Sequence, residues 1–344
     1  MLRPLKLLGL LVVLLLSSIH TARAQKEPLE FNFGLPNSDH ITIFVAQELG
    51  LFEKVGLRPK FFTFASGAPL LAGLKSESLD VTSTGLAIMF ALGQDIPLKI
   101  LFWTANDGVG EGLVTTADSG IKSYKDITPA TRIGAASGTC AQVALNLMSK
   151  KLGIEYSKLN VINIPAPLFR NSFLSKSIDA GIAWSPHSFV LQGDGFRIVN
   201  FDPDYTMPGG ICPRLMAVRP AFLKSHPEIG AKLVEVEALA QEAIARNPKL
   251  AVDALVKRLS LSEKVAQADY EGIYLKRPTF VQQIDPSSPY SLTTKDGGLA
   301  QKLFIAGQAL FEAKSIPRPV SLTEIQDAID ASYLQAYAGS REKK

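Results

Sequence analysis

Apolar and polar positions follow two rhythms along the chain. Short apolar runs of strand type cover residues 29–35, 58–64, 81–83 and 98–102. Between them lie segments of helical spacing: 41–49, which Gly50 stops, 70–75 after a Ser66-Gly67 turn, and 86–92. The alternation then restarts. Strand-like runs at 112–115, 132–135, 161–164 and 180–183 are interleaved with helical spacing at 141–151 and 168–174, and a further apolar strand follows at 215–218. Beyond Pro220 the pattern is mainly helical, over 229–245, 250–259, 300–313 and 322–331. Strand and helix in regular alternation predict an α/β protein with mainly parallel sheets flanked by helices on both faces. Two such blocks without a low-complexity linker predict two lobes between which the chain crosses twice.

The N-terminus changes the picture first. Arg3 and Lys6 precede an unbroken apolar run over 7–16, and a small, polar stretch ends in Ala22-Arg23-Ala24. A basic region, a short apolar core and an A-x-A site in that order predict a secretory leader over 1–24. Ten apolar residues fall short of the roughly 20 needed to span a bilayer. The expected product starts at Gln25, is secreted to the periplasm, and is long enough for two ordinary cores. The formal charge of +4 includes Arg3, Lys6 and Arg23 of the leader, which holds no acid, so the remainder is close to +1. Its Lys and Arg are interspersed with Asp and Glu, which gives no nucleic-acid footprint. Two cysteines, Cys140 and Cys212, are too few for a zinc site. An oxidising compartment allows them to pair, but spacing alone leaves that open.

Candidate chemistry follows from the strand ends. In open parallel sheets, ligands bind outside the carboxyl ends of the strands. Four such ends carry small or hydroxyl-bearing residues: Asn37-Ser38-Asp39-His40, Ser66-Gly67-Ala68, Thr82-Ser83-Thr84-Gly85 and Ser137-Gly138-Thr139-Cys140. Helix N-termini present unpaired N–H groups to an anion and hydroxyls add directed donors. The same residue types are also ordinary N-caps. The chain has no G-x-S-x-G, no H-E-x-x-H and no phosphate-loop sequence, and its histidines are scattered. No cofactor, no metal and no catalytic residue is therefore expected.

Several stretches in order resemble the periplasmic binding components of taurine, aliphatic sulfonate and nitrate ABC importers, a group that includes thiamine-pyrimidine binders. They are residues 46–57 (AQELGLFEKVGL), 64–68 (FASGA), 94–98 (QDIPL), 178–180 (IDA), 183–186 (AWSP) and 222–228 (FLKSHPE). The resemblance runs from about Leu29 to Tyr337. It implies a two-lobed type II periplasmic-binding fold, with lobe 1 over 25–113 plus 215–344 and lobe 2 over 114–214. It implies a ligand cleft lined by Ser66, Gly67, Thr84, Gly85, Thr139, Cys140 and Trp184, faced also by the loop 37–40. Taurine-like members carry an acid on the return crossover; this chain aligns Arg214 there. A guanidinium favours a carboxylate or sulfonate over an ammonium group. The expected function is delivery of a small organic anion to an ABC importer permease by hinge closure, as a monomer. Two rivals use the same fold: a thiamine-pyrimidine-type enzyme, which the lack of a Cys-rich segment counts against, and a ligand-binding sensor component.

Overall fold

The computed structural model describes residues 27–294 and 297–341, with the side chain of Ala68 left aside. The expected leader lies outside the described residues. No described helix is long and apolar enough to cross a membrane.

The first sheet has strand order β2-β1-β3-β10-β4, formed by β1 (Leu29–Pro36), β2 (Leu57–Phe64), β3 (Val81–Thr84), β4 (Lys99–Asn106) and β10 (Pro213–Val218). The second has order β7-β6-β8-β5-β9, formed by β5 (Gly112–Thr115), β6 (Arg132–Gly134), β7 (Asn160–Ile162), β8 (Ala180–Ala183) and β9 (Arg197–Phe201). In each sheet four strands run one way and one, β10 or β5, runs against its neighbours on both sides. The two antiparallel strands are those entered directly from a crossover. β3, β8 and β10 are buried along their whole length, as expected where helices cover both faces. Edge strand β2 is only partly covered, and β9, also an edge, escapes the sequence reading because its five residues are all half-buried.

The pairings set the changeover between sheets slightly apart from the expected limits. Gly112 and Leu113 pair with Ala183 and Ile182 of β8 in the second sheet. Pro213 and Arg214 pair with Asn106 and Ala105 of β4 in the first. The two crossovers lie against each other: Asn106 donates to the Gly209 carbonyl at 2.9 Å and the Gly108 amide to the Cys212 carbonyl at 3.0 Å. A Cβ on Gly108 would stand 2.9 Å from the Cα of Gly210, so both positions require glycine for backbone to meet backbone.

The helices follow their apolar spacing with small shifts. Ile41–Glu48, Ala87–Leu92, Cys140–Lys151 and Glu228–Arg246 lie within two residues of expectation, while Gly67–Lys75 begins three residues early, next to Ser66. The last predicted helix, 322–331, is shorter than expected, and a further helix lies beyond it. Leu322–Ala328 ends, and Ser332–Arg341 starts where the Ser332 amide donates to the Asp330 carboxylate at 3.1 Å, the pattern of a helix start. Glu263–Gly272, with Ser262 capping the Val265 amide, is an additional helix; it packs on His187–Gly193 of the second lobe.

Candidate functional site

Between the lobes lies a partly open void. Lobe 1 walls it with Pro36, Ser38, Gly67, Thr84, Gly85, Leu86 and Ala87. Gly138, Thr139, Cys140 and Trp184 come from lobe 2, and Asp107, Glu111, Cys212 and Arg214 from the crossovers or the strand they enter. The helices Gly67–Lys75 and Cys140–Lys151 thus bring their N-termini to it from opposite lobes. The amides of a first helical turn lack intrahelical partners, so two partly positive backbone surfaces converge on the void.

The lobes are in contact around this void. The Ser38 hydroxyl donates to the Ser185 carbonyl at 2.9 Å, and the Trp184 indole N–H to the Asn37 carbonyl at 3.3 Å. His187 Nε2 lies 3.4 Å from the same Asn37 oxygen. Ser185 also donates to Asp269 of the C-terminal helical region. On the other side Gln142 donates to the Ser315 hydroxyl at 2.6 Å, and Lys150 pairs with Glu312.

Nine of the candidate residues stand in the wall: Ser38, Gly67, Thr84, Gly85, Gly138, Thr139, Cys140, Trp184 and Arg214. Others sit elsewhere. Asn37 serves the lobe contact through its backbone carbonyl. Asp39 turns behind the wall to Arg214. His40 is buried with Nε2 2.9 Å from the Pro36 carbonyl; burial, reinforced by Arg214, lowers its pKa to about 3 and keeps it neutral. Ser66 is a buried N-cap position, and Ser137 faces an outer groove with Gln142 and Ser315.

Arg214 needs correction as an anion receptor. Its guanidinium is 3% exposed and engaged on nearly every edge. Nε donates to Asp107 at 3.0 Å, one terminal nitrogen to the Asp39 carbonyl at 2.6 Å, and the other to Ser38 Oγ at 3.0 Å. That last nitrogen also pairs with Asp107 at 2.6 Å and with the Asp39 carboxylate. Two carboxylates therefore offset the one guanidinium in the wall, and it has little charge left for a ligand's acid group.

Sequence reasoning missed Asp107, Glu111 and Cys212. Burial pushes Asp107 up to about 6 against the pull of Arg214. Glu111 is fully buried and neither carboxylate oxygen has a protein partner. Burial, then Asp202 and Asp107, push its carboxyl well above the usual range and favour the neutral acid. Such a group leaves hydrogen-bonding capacity for whatever occupies the void. Cys140 and Cys212 form a disulfide, with Cα atoms 5.4 Å apart. It leaves no room beside Gly85: a Cβ there would lie 2.8 Å from the Cys140 sulfur. Glu111 and the two sulfurs lie within 4.8 Å of one another, but the disulfide removes both thiolates that a metal would need.

Two five-stranded α/β lobes, two adjacent crossovers and a void between the lobes define the type II periplasmic-binding fold. The chain belongs to the NMT1/THI5-like family, which it matches over residues 37–251, more than half its length. It is 27% identical over 225 residues to a Brucella abortus protein described as a binding protein, covering 64% of this chain and 67% of that one. A Bacillus subtilis protein described as binding aliphatic sulfonates is 26% identical over 203 residues, 56% of this chain and 59% of that one. Among solved structures, the alkanesulfonate-binding protein of Xanthomonas axonopodis bound to MOPS superposes with a TM-score of 0.72 at 16% identity, over 89% of this chain and 99% of that one. A desulfurization enzyme shares the fold at a TM-score of 0.62 and 13% identity, over 91% of this chain and 99% of that one. The fold therefore hosts both binding and catalysis, and the site has to decide between them.

Proposed function

We propose that the chain is the periplasmic solute-binding component of an ABC importer and encloses a small organic solute of the sulfonate or carboxylate class. The observation that carries this reading is the cleft itself, walled by both lobes and by the crossovers. A ligand touching both lobes favours the closed arrangement because it contacts both walls only there. With Arg214 held by Asp39 and Asp107, the acid group of the ligand is assigned to the amides at the starts of Gly67–Lys75 and Cys140–Lys151 and to the hydroxyl of Thr84. Trp184 supplies an aromatic wall. The importer permease reads the closed form, and the binding protein works as a monomer.

The cavity chemistry favours binding over catalysis. Among the described lining residues there is no histidine, and both cysteines are in the disulfide. His187 sits outside the wall against the Asn37 carbonyl, and burial lowers its pKa. A nucleophile with an adjacent base, the arrangement covalent catalysis needs, has no counterpart among these lining residues.

The test is native mass spectrometry of the secreted protein, followed by a thermal-shift screen over alkanesulfonates, carboxylates and nitrate. A ligand at 100 times its dissociation constant adds about 2.7 kcal/mol of stability. A stable one-to-one complex with a member of these classes is the expected result. Turnover of a bound compound, or no stabilisation by any class, refutes the reading.

A further inference from the structure

The chain passes between the lobes at two places, and these crossovers touch each other at Gly108 and Gly210. Two adjacent strands make a hinge about which one lobe can turn. The disulfide adds a third covalent tie. Cys140 is the first residue of Cys140–Lys151, which follows β6 and belongs to the second lobe. Cys212 precedes Pro213, which is paired with Asn106 inside the first sheet. The first lobe also grips the bond directly: the Leu86 amide donates to the Cys140 sulfur at 3.4 Å, and Gly85 packs against both sulfurs.

We propose that the Cys140–Cys212 disulfide is a redox-sensitive stop on cleft opening. The other lobe-to-lobe ties described above are non-covalent, being hydrogen bonds, one ion pair and the packing of Glu263–Gly272 on His187–Gly193, and water takes their place when the lobes part. The disulfide does not yield in this way: its Cα atoms must stay within about 7 Å. While it is intact, the start of Cys140–Lys151 stays against β10 and the floor of the void is pre-formed. The lobes then part only by the rotation left about the bond. Reduction releases that helix and the second lobe swings further.

The chemistry is thiol–disulfide exchange with a dithiol. One reductant thiolate attacks a protein sulfur, the S–S bond breaks, and a mixed disulfide forms. The second reductant thiolate closes on the first and frees the protein. The cysteines gain two electrons and two protons, and the reductant leaves as a cyclic disulfide. In an oxidising compartment the bond persists until such a dithiol is supplied.

Small-angle scattering on the ligand-free chain beginning at Gln25 tests this, oxidised and in dithiothreitol, alongside Cys140→Ser/Cys212→Ser. Circular dichroism confirms folding and thiol titration confirms the redox state. The oxidised protein is expected near the roughly 20 Å radius of gyration of a compact chain of this length. Reduced protein and double variant are both expected to be larger by about 1 Å, with unchanged secondary structure. Equal radii in all three samples overturn the proposal. A radius near the roughly 60 Å of an unfolded chain also overturns it, because the bond would then hold the fold and not the hinge. Either result leaves the solute-binding reading standing, since that rests on ligand capture and not on the range of opening.

Discussion

Replacing Arg214 with alanine removes the guanidinium that holds three separate segments together. Asp107 lies on the outgoing crossover, Asp39 on the loop after β1, and Arg214 itself on β10. The variant leaves both carboxylates buried with no cation against them, and the Asp39 carbonyl and Ser38 hydroxyl without their donor. Breaking a buried pair by deleting one partner costs about 3–5 kcal/mol. At roughly 2–4 °C per kcal/mol for domains of 150–250 residues, and less for a longer chain, the melting temperature is expected to fall by roughly 4–15 °C. Arg214→Lys should recover only part of this, because one ammonium cannot reach the fork of contacts a guanidinium makes. The assay is differential scanning calorimetry of wild type and both variants without ligand. Adding Asp39→Asn to Arg214→Ala should cost less than the two single losses summed, since the second change removes a charge the first left unpaired. An Arg214→Ala protein melting within about 1 °C of wild type, with ligand affinity reduced, would refute the reasoning and return Arg214 to the role of anion receptor.

Glu111→Gln is expected to flatten part of the pH dependence of stability. A carboxyl raised in the folded state contributes stability fully present below its unfolded pKa and lost as pH climbs toward the folded one, so the wild type should lose stability above about pH 4.5 more steeply than the variant. Urea melts at pH 5 and pH 8 measure the difference; Asp202 and Asp107 remain in both proteins, and equal slopes would contradict the assignment. Gly85→Ala puts a methyl group 2.8 Å from the Cys140 sulfur and should lower the melting temperature and raise the free-thiol count in a quantitative titration, with a wild-type count showing that the contact relaxes. Ligand-induced change in tryptophan fluorescence should come from Trp184, which lines the void, and disappear in Trp184→Phe because the remaining Trp103 is buried in lobe 1; a persisting signal would remove Trp184 from the ligand wall.

Local sequence pattern carries the elements well because a strand or helix needs only its own residues to show a period. The runs at 81–83 and 180–183 are strands at almost the predicted limits, and the turns after β3 and β6 do reach the void. The role of Arg214 was not legible in the same way. Its carboxylate partners are 175 and 107 residues away in the chain, and nothing beside it in sequence announces them. Cys140 and Cys212, separated by 72 residues, pose the same problem. Glu111 had a weaker but usable signal: an acid between glycines immediately before a predicted crossover, close to where the lobes meet. β9 and the helix Glu263–Gly272 were missed because their half-buried or polar sequences give the periodicity little contrast.

The energetic balance of closure can be argued from the same residues. Ser38, Trp184 and Gln142 supply direct lobe-to-lobe hydrogen bonds, each worth about 0.5–1.5 kcal/mol net because water replaces the partner on opening. Exposed ion pairs such as Lys150–Glu312 add about 0–1 kcal/mol. The carboxyl of Glu111 is buried without a partner, at a cost of about 1–3 kcal/mol. The Ser185–Asp269 contact and the packing of Glu263–Gly272 on His187–Gly193 add to the closed side, and a ligand shifts the balance by its differential affinity for the two forms. A ligand that satisfies Glu111 removes a cost and adds contacts to both walls in one step. The network around Arg214 supports this without touching the ligand's charge: by fixing the loop that carries Ser38 and the Asn37 carbonyl, it holds ready the surface on which Trp184 and Ser185 close.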